Sequence, residues 1–200
     1  MRLVLVLAAV LAALAIPAGL ILAHGAEDAP DFRGSQPPAG ITLPAFELRD
    51  DQGRPVRSSD LRGKALAVTF LDTECVESCP IIAAQVPQAF KALGDDRSSV
   101  EALAITVDPV GDTQRRIDQF LRRYRANGTL RYLDGTVSEL RPVWRAFQVQ
   151  SALDTGNSNM HSAPVRIYDR DGEWRSTLNA GVDLTPANLA NDLREALNAT

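Results

Sequence analysis

The sequence predicts one α/β domain in which a mixed central sheet is flanked by helices. Apolar runs typical of buried strands alternate with segments whose apolar residues recur every three or four positions, as in helices. A hairpin pattern followed by a helix closes the chain, which adds an antiparallel edge to a parallel sheet. The 200 residues are 45% hydrophobic and 23% charged, which suits a single core and excludes a disordered chain.

The domain is expected to begin near Ile41 with a short hairpin. Residues 46–48 and 54–56 flank a turn signal at 50–53, Asp-Asp-Gln-Gly. The first strong strand follows at 65–71, and it is apolar throughout, as expected when both faces of a strand are buried.

Helices and strands then alternate. The predicted elements are, in order, a helix at 80–93, a strand at 102–107, a helix from Thr113 to about Gly128, a strand at 130–133, a helix capped by Ser138, a hairpin of 165–168 with 174–178, and a last helix opening at Thr185-Pro186. Pro87 predicts a kink or an interruption in the first of these helices. Trp144 and Phe147 fit the apolar stripe of their helix and are expected in the core.

The first 24 residues have the pattern of an export segment. Residues 3–23 are 21 consecutive uncharged, mostly aliphatic residues, which is long enough to cross a bilayer. We expect a membrane anchor at 1–24 with the domain on the extracytoplasmic side; a cleaved signal, giving a secreted domain, is the alternative. Residues 25–40 are rich in Pro, Gly, Asp and Ser and predict a flexible linker to the domain at 41–200.

Charge and cysteine count exclude several classes of function. The formal net charge is −4, the sequence pI is near 5.2, and no Lys/Arg-rich run occurs, which argues against a nucleic-acid partner. Two cysteines cannot form a disulfide framework or a four-thiolate zinc site. If these cysteines matter, their role is therefore chemical.

Both cysteines lie just after the first buried strand, as Cys75-Val76-Glu77-Ser78-Cys79-Pro80. A dithiol at this place, in this order of elements, indicates a thioredoxin-like fold, here in the peroxiredoxin-like variant with an N-terminal hairpin. Pro80 favours a helix start, which places Cys79 at or near the N-cap with both thiols beside the positive helix end and predicts lowered thiol pKa values. Glu77 between the thiols opposes this effect. A structural disulfide is the alternative, but so small a loop gains little stability from one.

His161 can supply a third donor. It follows a polar loop and precedes the strand at 165–168, which in this fold lies beside the first buried strand. Two thiolates and one imidazole suit Cu(I) and can hold Cu(II), with zinc as the runner-up metal. The neighbouring Met160 is expected to pack rather than ligate, and His24 is expected to be only an interfacial residue.

The chain resembles the Sco/SenC family of thioredoxin-like copper-binding proteins over about residues 43–197. The resembling motifs are Leu61-Arg62-Gly63-Lys64, Cys75-x-x-x-Cys79-Pro80, Thr106-Val107-Asp108-Pro109-x-x-Asp112-Thr113, His161-Ser162 and Ile167-Tyr168-Asp169-x-Asp171-Gly172. Two positions depart from the family's common form. Val76 stands where a proline is usual, and Asn159-Met160 stands where an acidic residue often precedes the histidine.

The resemblance implies that Cys75, Cys79 and His161 bind one copper ion. It also implies delivery of that copper to the CuA site of cytochrome c oxidase, with an apo-protein like oxidase subunit II as partner. The dithiol then needs a thiol reductant, because free thiols outside the cytosol tend to oxidise.

Two other activities remain open, and so does the role of two acidic residues. A thiol:disulfide oxidoreductase would use Cys75 as attacking and Cys79 as resolving thiol, and would not require His161. A peroxiredoxin-like peroxidase is poorly supported, since Thr73 lacks a matching arginine. Asp108 and Asp112 follow a strand at the same rim as the dithiol, where they can orient the site or contact a docking partner, or simply cap a helix and form a turn.

Overall fold

A seven-stranded mixed sheet organises residues 30–199, the part of the chain that the computed structural model describes. The strands are β1 (Glu47–Asp50), β2 (Pro55–Arg57), β3 (Ala65–Leu71), β4 (Val100–Thr106), β5 (Leu130–Asp134), β6 (Val165–Tyr168) and β7 (Trp174–Leu178). The helices are α1 (Ser78–Leu93), α2 (Gln114–Arg123), α3 (Val137–Ala146), α4 (Ala152–Thr155) and α5 (Pro186–Asn198), with 3-10 turns at Ser58–Leu61 and Gly94–Ser99. The α/β fold class predicted from the sequence is confirmed.

Strand β3 lies inside the sheet, whose order is β2-β1-β5-β4-β3-β6-β7. It pairs in parallel with β4 and antiparallel with β6, so the end of β3 and the start of β6 lie at the same rim. All seven β3 residues are buried. Alternate side chains enter two apolar clusters, one on each face of the sheet, which explains why the strand is apolar at every position.

Helix α1 begins two residues before Pro80 and continues past Pro87 to Leu93. Of the kink or interruption predicted at Pro87, the interruption is wrong. The stripe of this helix that includes Ile82, Val86 and Phe90 is buried, and burial of that face stabilises the helix across the proline.

Helix α2 ends at Arg123, before the predicted end near Gly128. Arg125 adopts a left-handed backbone with φ 57°, and the Ala126 N–H donates to the Leu121 carbonyl at 2.8 Å. This six-residue closure is a Schellman-type helix end, which needs no glycine when a residue such as Arg125 accepts the positive φ.

Helix α3 is capped by Thr136, whereas the sequence predicts Ser138. The Thr136 hydroxyl accepts the Glu139 backbone N–H, and the Glu139 carboxylate accepts the Thr136 backbone N–H. This reciprocal capping box fixes the helix start two residues earlier than predicted.

Residues 31–42 lie against the domain, so the described part of the predicted flexible linker is not a free tether. Ser35 and Thr42 form bridges with Thr177 and Glu173 at β7 and the turn before it. The buried Asp192 carboxylate of α5 accepts the backbone N–H groups of Arg33 and Gly34 at 2.7 and 3.0 Å. These bonds hold the segment along the open edge of the sheet.

The predicted anchor at 1–24 and His24 lie outside the described residues. Within residues 30–199, no helix has both the length and the apolar composition needed to cross a membrane.

Candidate metal centre

Two loops and a helix start bring the three predicted ligands together. Cys75 lies in the loop after β3, and Cys79 lies in the first turn of α1. His161 lies in the loop that enters β6. Because β6 runs antiparallel beside β3, this loop meets the cysteine loop at one rim of the sheet.

The ligand atoms of Cys75, Cys79 and His161 all lie within 4.8 Å of one another. The Cys79 Sγ and His161 Nε2 atoms are 3.4 Å apart. His161 Nδ1 is 3.2 Å from the Ser162 carbonyl oxygen and can donate to it, which leaves Nε2 as the ring nitrogen that faces the thiols. Both cysteines are free and buried.

The two thiols differ in acidity. A hydrogen bond from Cys79 lowers the pKa of Cys75 to about 3, assisted by His161 and by backbone N–H groups at the start of α1. The interaction with the Cys75 thiolate, together with burial, raises the pKa of Cys79 well above its ordinary value. The sequence predicts lowered pKa values for both thiols, which is wrong for Cys79 because one helix end cannot stabilise two adjacent thiolates.

The pKa of His161 is raised. Burial lowers it, but the hydrogen bond to the Cys75 thiolate and the bond to the Ser162 carbonyl outweigh that effect. The reduced site thus pairs one thiolate with an imidazole that protonates readily, and a metal ion must displace that proton to use Nε2.

We predict that Cys75 is a thiolate at neutral pH in the reduced protein. Its folded pKa of about 3 lies below the ordinary 9.0, so the ionised thiol stabilises the fold above pH 9 and loses that contribution as pH falls through about 3. The stability of the wild type relative to Cys75→Ser should therefore rise with pH inside that window. Ultraviolet thiolate absorbance, followed anaerobically, should already be present in mild acid. Absorbance that develops only near pH 9 would contradict this assignment.

The buried Asp112 carboxylate links the cysteine loop to the sheet by hydrogen bonds. Asp112 Oδ1 accepts the Thr73 backbone N–H at 2.8 Å, two residues before Cys75. Its Oδ2 atom accepts the hydroxyls of Thr106 and Tyr132, each at 2.6 Å. Burial raises the pKa of Asp112 to about 6. Asp112 therefore joins β4 and β5 to the loop that carries the first thiol.

Asp108 makes different hydrogen bonds, which match the turn interpretation of the sequence. Its Oδ1 atom accepts the backbone N–H groups of Val110 and Gly111 at 3.2 and 3.0 Å. Asp108 therefore forms a turn, whereas Asp112 holds the site.

Replacing Asp112 with alanine should destabilise the protein by about 2–4 kcal/mol, because the buried Tyr132 hydroxyl and the Thr73 N–H lose their acceptor. Urea unfolding measures the change. Asp108→Ala is the matched control, and loss of its turn bonds should cost about 1 kcal/mol or less. Equal costs for the two variants would contradict the assigned roles.

Other expected roles have mixed outcomes. Trp144 and Phe147 are buried in one apolar cluster, as predicted. The packing role of Met160 is wrong, since the residue is 61% exposed. It lies in a loop in which Asn157 accepts the backbone N–H groups of Asn159 and Met160.

The sequence analysis did not identify two buried polar residues near the site, Asp72 and Tyr132. Asp72 accepts the Glu74 backbone N–H, and its carbonyl accepts the Cys75 N–H. Burial raises the pKa of the Asp72 carboxyl. Its place directly after an apolar strand could have indicated it, but nothing in the sequence shows that Tyr132 bonds to Asp112.

Comparison with known proteins decides the family. The SCO1/SenC profile matches residues 35–198, most of the chain. The chain belongs to the SCO1/SenC family.

Two curated relatives align with most of this SCO1/SenC chain. A Stutzerimonas stutzeri protein named as copper-binding is 26% identical over 152 residues, 74% of each chain. The SCO1 protein homolog of Bacillus subtilis is 24% identical over 164 residues, 80% of this chain and 84% of that one.

Solved structures show the same fold for this SCO1/SenC chain. Copper-bound ScoI of Bradyrhizobium japonicum is 28% identical with a TM-score of 0.67, and the match covers 78% of this chain and 100% of that one. BsSco, described as a member of the Sco family of cytochrome c oxidase assembly proteins and as having a disulfide switch, is 20% identical with a TM-score of 0.67. That match covers 83% of this chain and 99% of BsSco.

Proposed function

We propose that this protein is an exported copper chaperone that binds one copper ion through Cys75, Cys79 and His161. The observation that carries the proposal is the convergence of two thiols and one imidazole nitrogen within 4.8 Å. Soft thiolates favour Cu(I), and the imidazole extends the set to Cu(II). The copper-bound state of ScoI from Bradyrhizobium japonicum supports copper over zinc as the cargo.

The recipient that fits best is the apo CuA site of an oxidase subunit II-like protein. The description of BsSco as an oxidase assembly protein supports it. With the proposed N-terminal membrane anchor, the domain would meet such a recipient on the extracytoplasmic side of the membrane.

Transfer would proceed by ligand exchange without a change in copper oxidation state. Cys75 lines an open groove of about 510 Å³ that Arg116, Phe120 and Tyr124 also line. A recipient's ligand entering there can bind copper as a ligand of this protein departs. After copper has left, Cys79 takes up a proton and Cys75 accepts its hydrogen bonds again as a thiolate.

Anaerobic copper titration of the full chain tests the proposal. Reduced protein should take up about one equivalent of Cu(I), and Cu(II) should give thiolate-to-copper absorption bands. Protein oxidised to the Cys75–Cys79 disulfide should bind neither ion at this site. A reduced protein that takes up no copper would refute the function.

A thiol:disulfide oxidoreductase is the second candidate, favoured by the unequal acidity of the two thiols. The Cys75 thiolate would attack a partner disulfide and form a mixed disulfide, releasing one partner thiolate. Cys79 would then lose its proton and attack Cys75 Sγ, which releases the second partner thiolate. Two electrons pass to the partner, whose thiolates take up protons, and an external thiol reductant restores the dithiol.

The reduction potential separates the two functions. A strongly reducing couple favours the oxidoreductase, whereas a more oxidising couple, which cannot reduce a partner's disulfide, favours the copper chaperone. Replacement of His161 gives a second discrimination, since thiol exchange should survive it and tight Cu(II) binding should not.

A further inference from the structure

Two loop residues beside the metal centre, Val76 and Asn159, contact each other. The backbone N–H of Val76 donates to Asn159 Oδ1 at 3.0 Å. A proline at position 76 has no N–H and cannot make this bond. The bond therefore depends on Val76, which lies between the cysteines, and on Asn159, which lies two residues before His161.

This bond crosses between the two chain segments that supply ligands. Other bonds of the histidine loop are internal or lie at its base: Asn159 N–H to Asn157 Oδ1, Met160 N–H to the Asn157 carbonyl, and Ser162 N–H to the Gln150 carbonyl. His161 also contacts the dithiol across the gap, at Cys79 Sγ and through its hydrogen bond to the Cys75 thiolate. The Ser158 hydroxyl lies near enough to Asp72 to lower the pKa of its carboxyl.

The chemistry of Asn159 suits a position beside a thiolate. Its amide oxygen accepts the Val76 N–H without adding a charge. An aspartate would accept the same bond but place a negative charge near Cys75. Val76 itself is 75% exposed, so its side chain packs little and its backbone N–H is the group that contacts the other loop.

We infer that Asn159 is a positioning residue that holds His161 over the dithiol through its bond to Val76. This inference rests on the proposed copper function. While the bond is closed, the imidazole remains at the thiols. When it opens, His161 can leave the copper while both thiolates keep it, and a recipient's ligand can take the vacant position. The bond thus sets how long copper keeps its third ligand.

Removing the bond from either end tests the inference. Asn159→Ala removes the acceptor, and Val76→Pro removes the donor. Each should speed Cu(II) transfer to a chelator by about two- to tenfold, the usual worth of one such bond. The double variant should be no faster than either single one. Single-variant rates equal to wild type, or effects that multiply in the double variant, would overturn the inference.

A copper-free measurement keeps this test separate from the proposed function. In reduced apo protein, the Val76 amide should be protected from hydrogen exchange in wild type and in Asn159→Asp, which keeps an acceptor, and should lose protection in Asn159→Ala. Nuclear Overhauser contacts between the His161 ring and Cys79 should weaken in Asn159→Ala only. Unchanged exchange and contacts in Asn159→Ala overturn the positioning role, whereas absence of copper uptake by wild type overturns the proposed function.

Discussion

A Cys75→Ser, Cys79→Ser variant should lose Cu(I) binding altogether. Hydroxyl groups are hard, weakly acidic donors and do not replace thiolates toward a soft ion. His161 would then be the one remaining member of the donor set, and a lone imidazole does not retain Cu(I) against a chelator. The loss should exceed by far the roughly 10–100-fold that removal of an outer-shell partner costs. Competition with a Cu(I) chromophoric chelator, under anaerobic and reducing conditions, measures it.

The matched control removes a different sulfur. Met160→Leu deletes the thioether of the residue next to His161 in the chain, and the exposed side chain of Met160 predicts an unchanged Cu(I) affinity. Thermal unfolding of both variants checks that the fold is intact. Equal Cu(I) affinity in wild type and in the double serine variant would refute the dithiol as the copper site.

Replacing His161 with alanine should separate the two oxidation states of copper. The imidazole Nε2 atom suits Cu(II), whereas two thiolates alone still satisfy Cu(I). We expect Cu(II) affinity to fall by about a hundredfold or more and Cu(I) affinity by less than about tenfold. Titrations with each ion, followed by the Cu(II)-thiolate absorption and by chelator competition, measure the two effects.

The chain offers a control for this prediction in its other histidine, His24. His24→Ala should leave both affinities unchanged, because the proposed donors are Cys75, Cys79 and His161 alone. Equal losses for Cu(I) and Cu(II) in His161→Ala would mean that the imidazole supports the thiols rather than binding copper itself.

Local patterns predicted most of the fold. The apolar run at 65–71 and the hairpin of residues 165–178 match the observed strands, because burial and turn residues determine them directly. The predictions are wrong where a hydrogen bond to another residue determines the local structure. Thr136 caps α3 instead of Ser138 because Glu139 completes a reciprocal pair with Thr136. Residues 31–42 lie on the sheet edge because Asp192, far along the chain, accepts their N–H groups.

The chemistry of the site was readable from residue types and order. Two thiols after a buried strand, with a proline at the helix start, predict a reactive pair at the end of that strand. A histidine just before a strand that pairs with the first one predicts a third donor at the same rim. The resemblance to the Sco/SenC family, confirmed by the profile match, rests on these same residues.

The sequence by itself predicted the fold class, the resemblance to the family and the three donors, because burial patterns, turn residues and motif spacing are local properties of the chain. Only the tertiary structure decided how those donors behave. The division of acidity between Cys75 and Cys79 arises from their closeness and from burial. The support of the loop by Asp112 and the bond from Val76 to Asn159 join residues 39 and 83 positions apart. No local pattern encodes such contacts, since they exist only after the strands have set the distances between their loops.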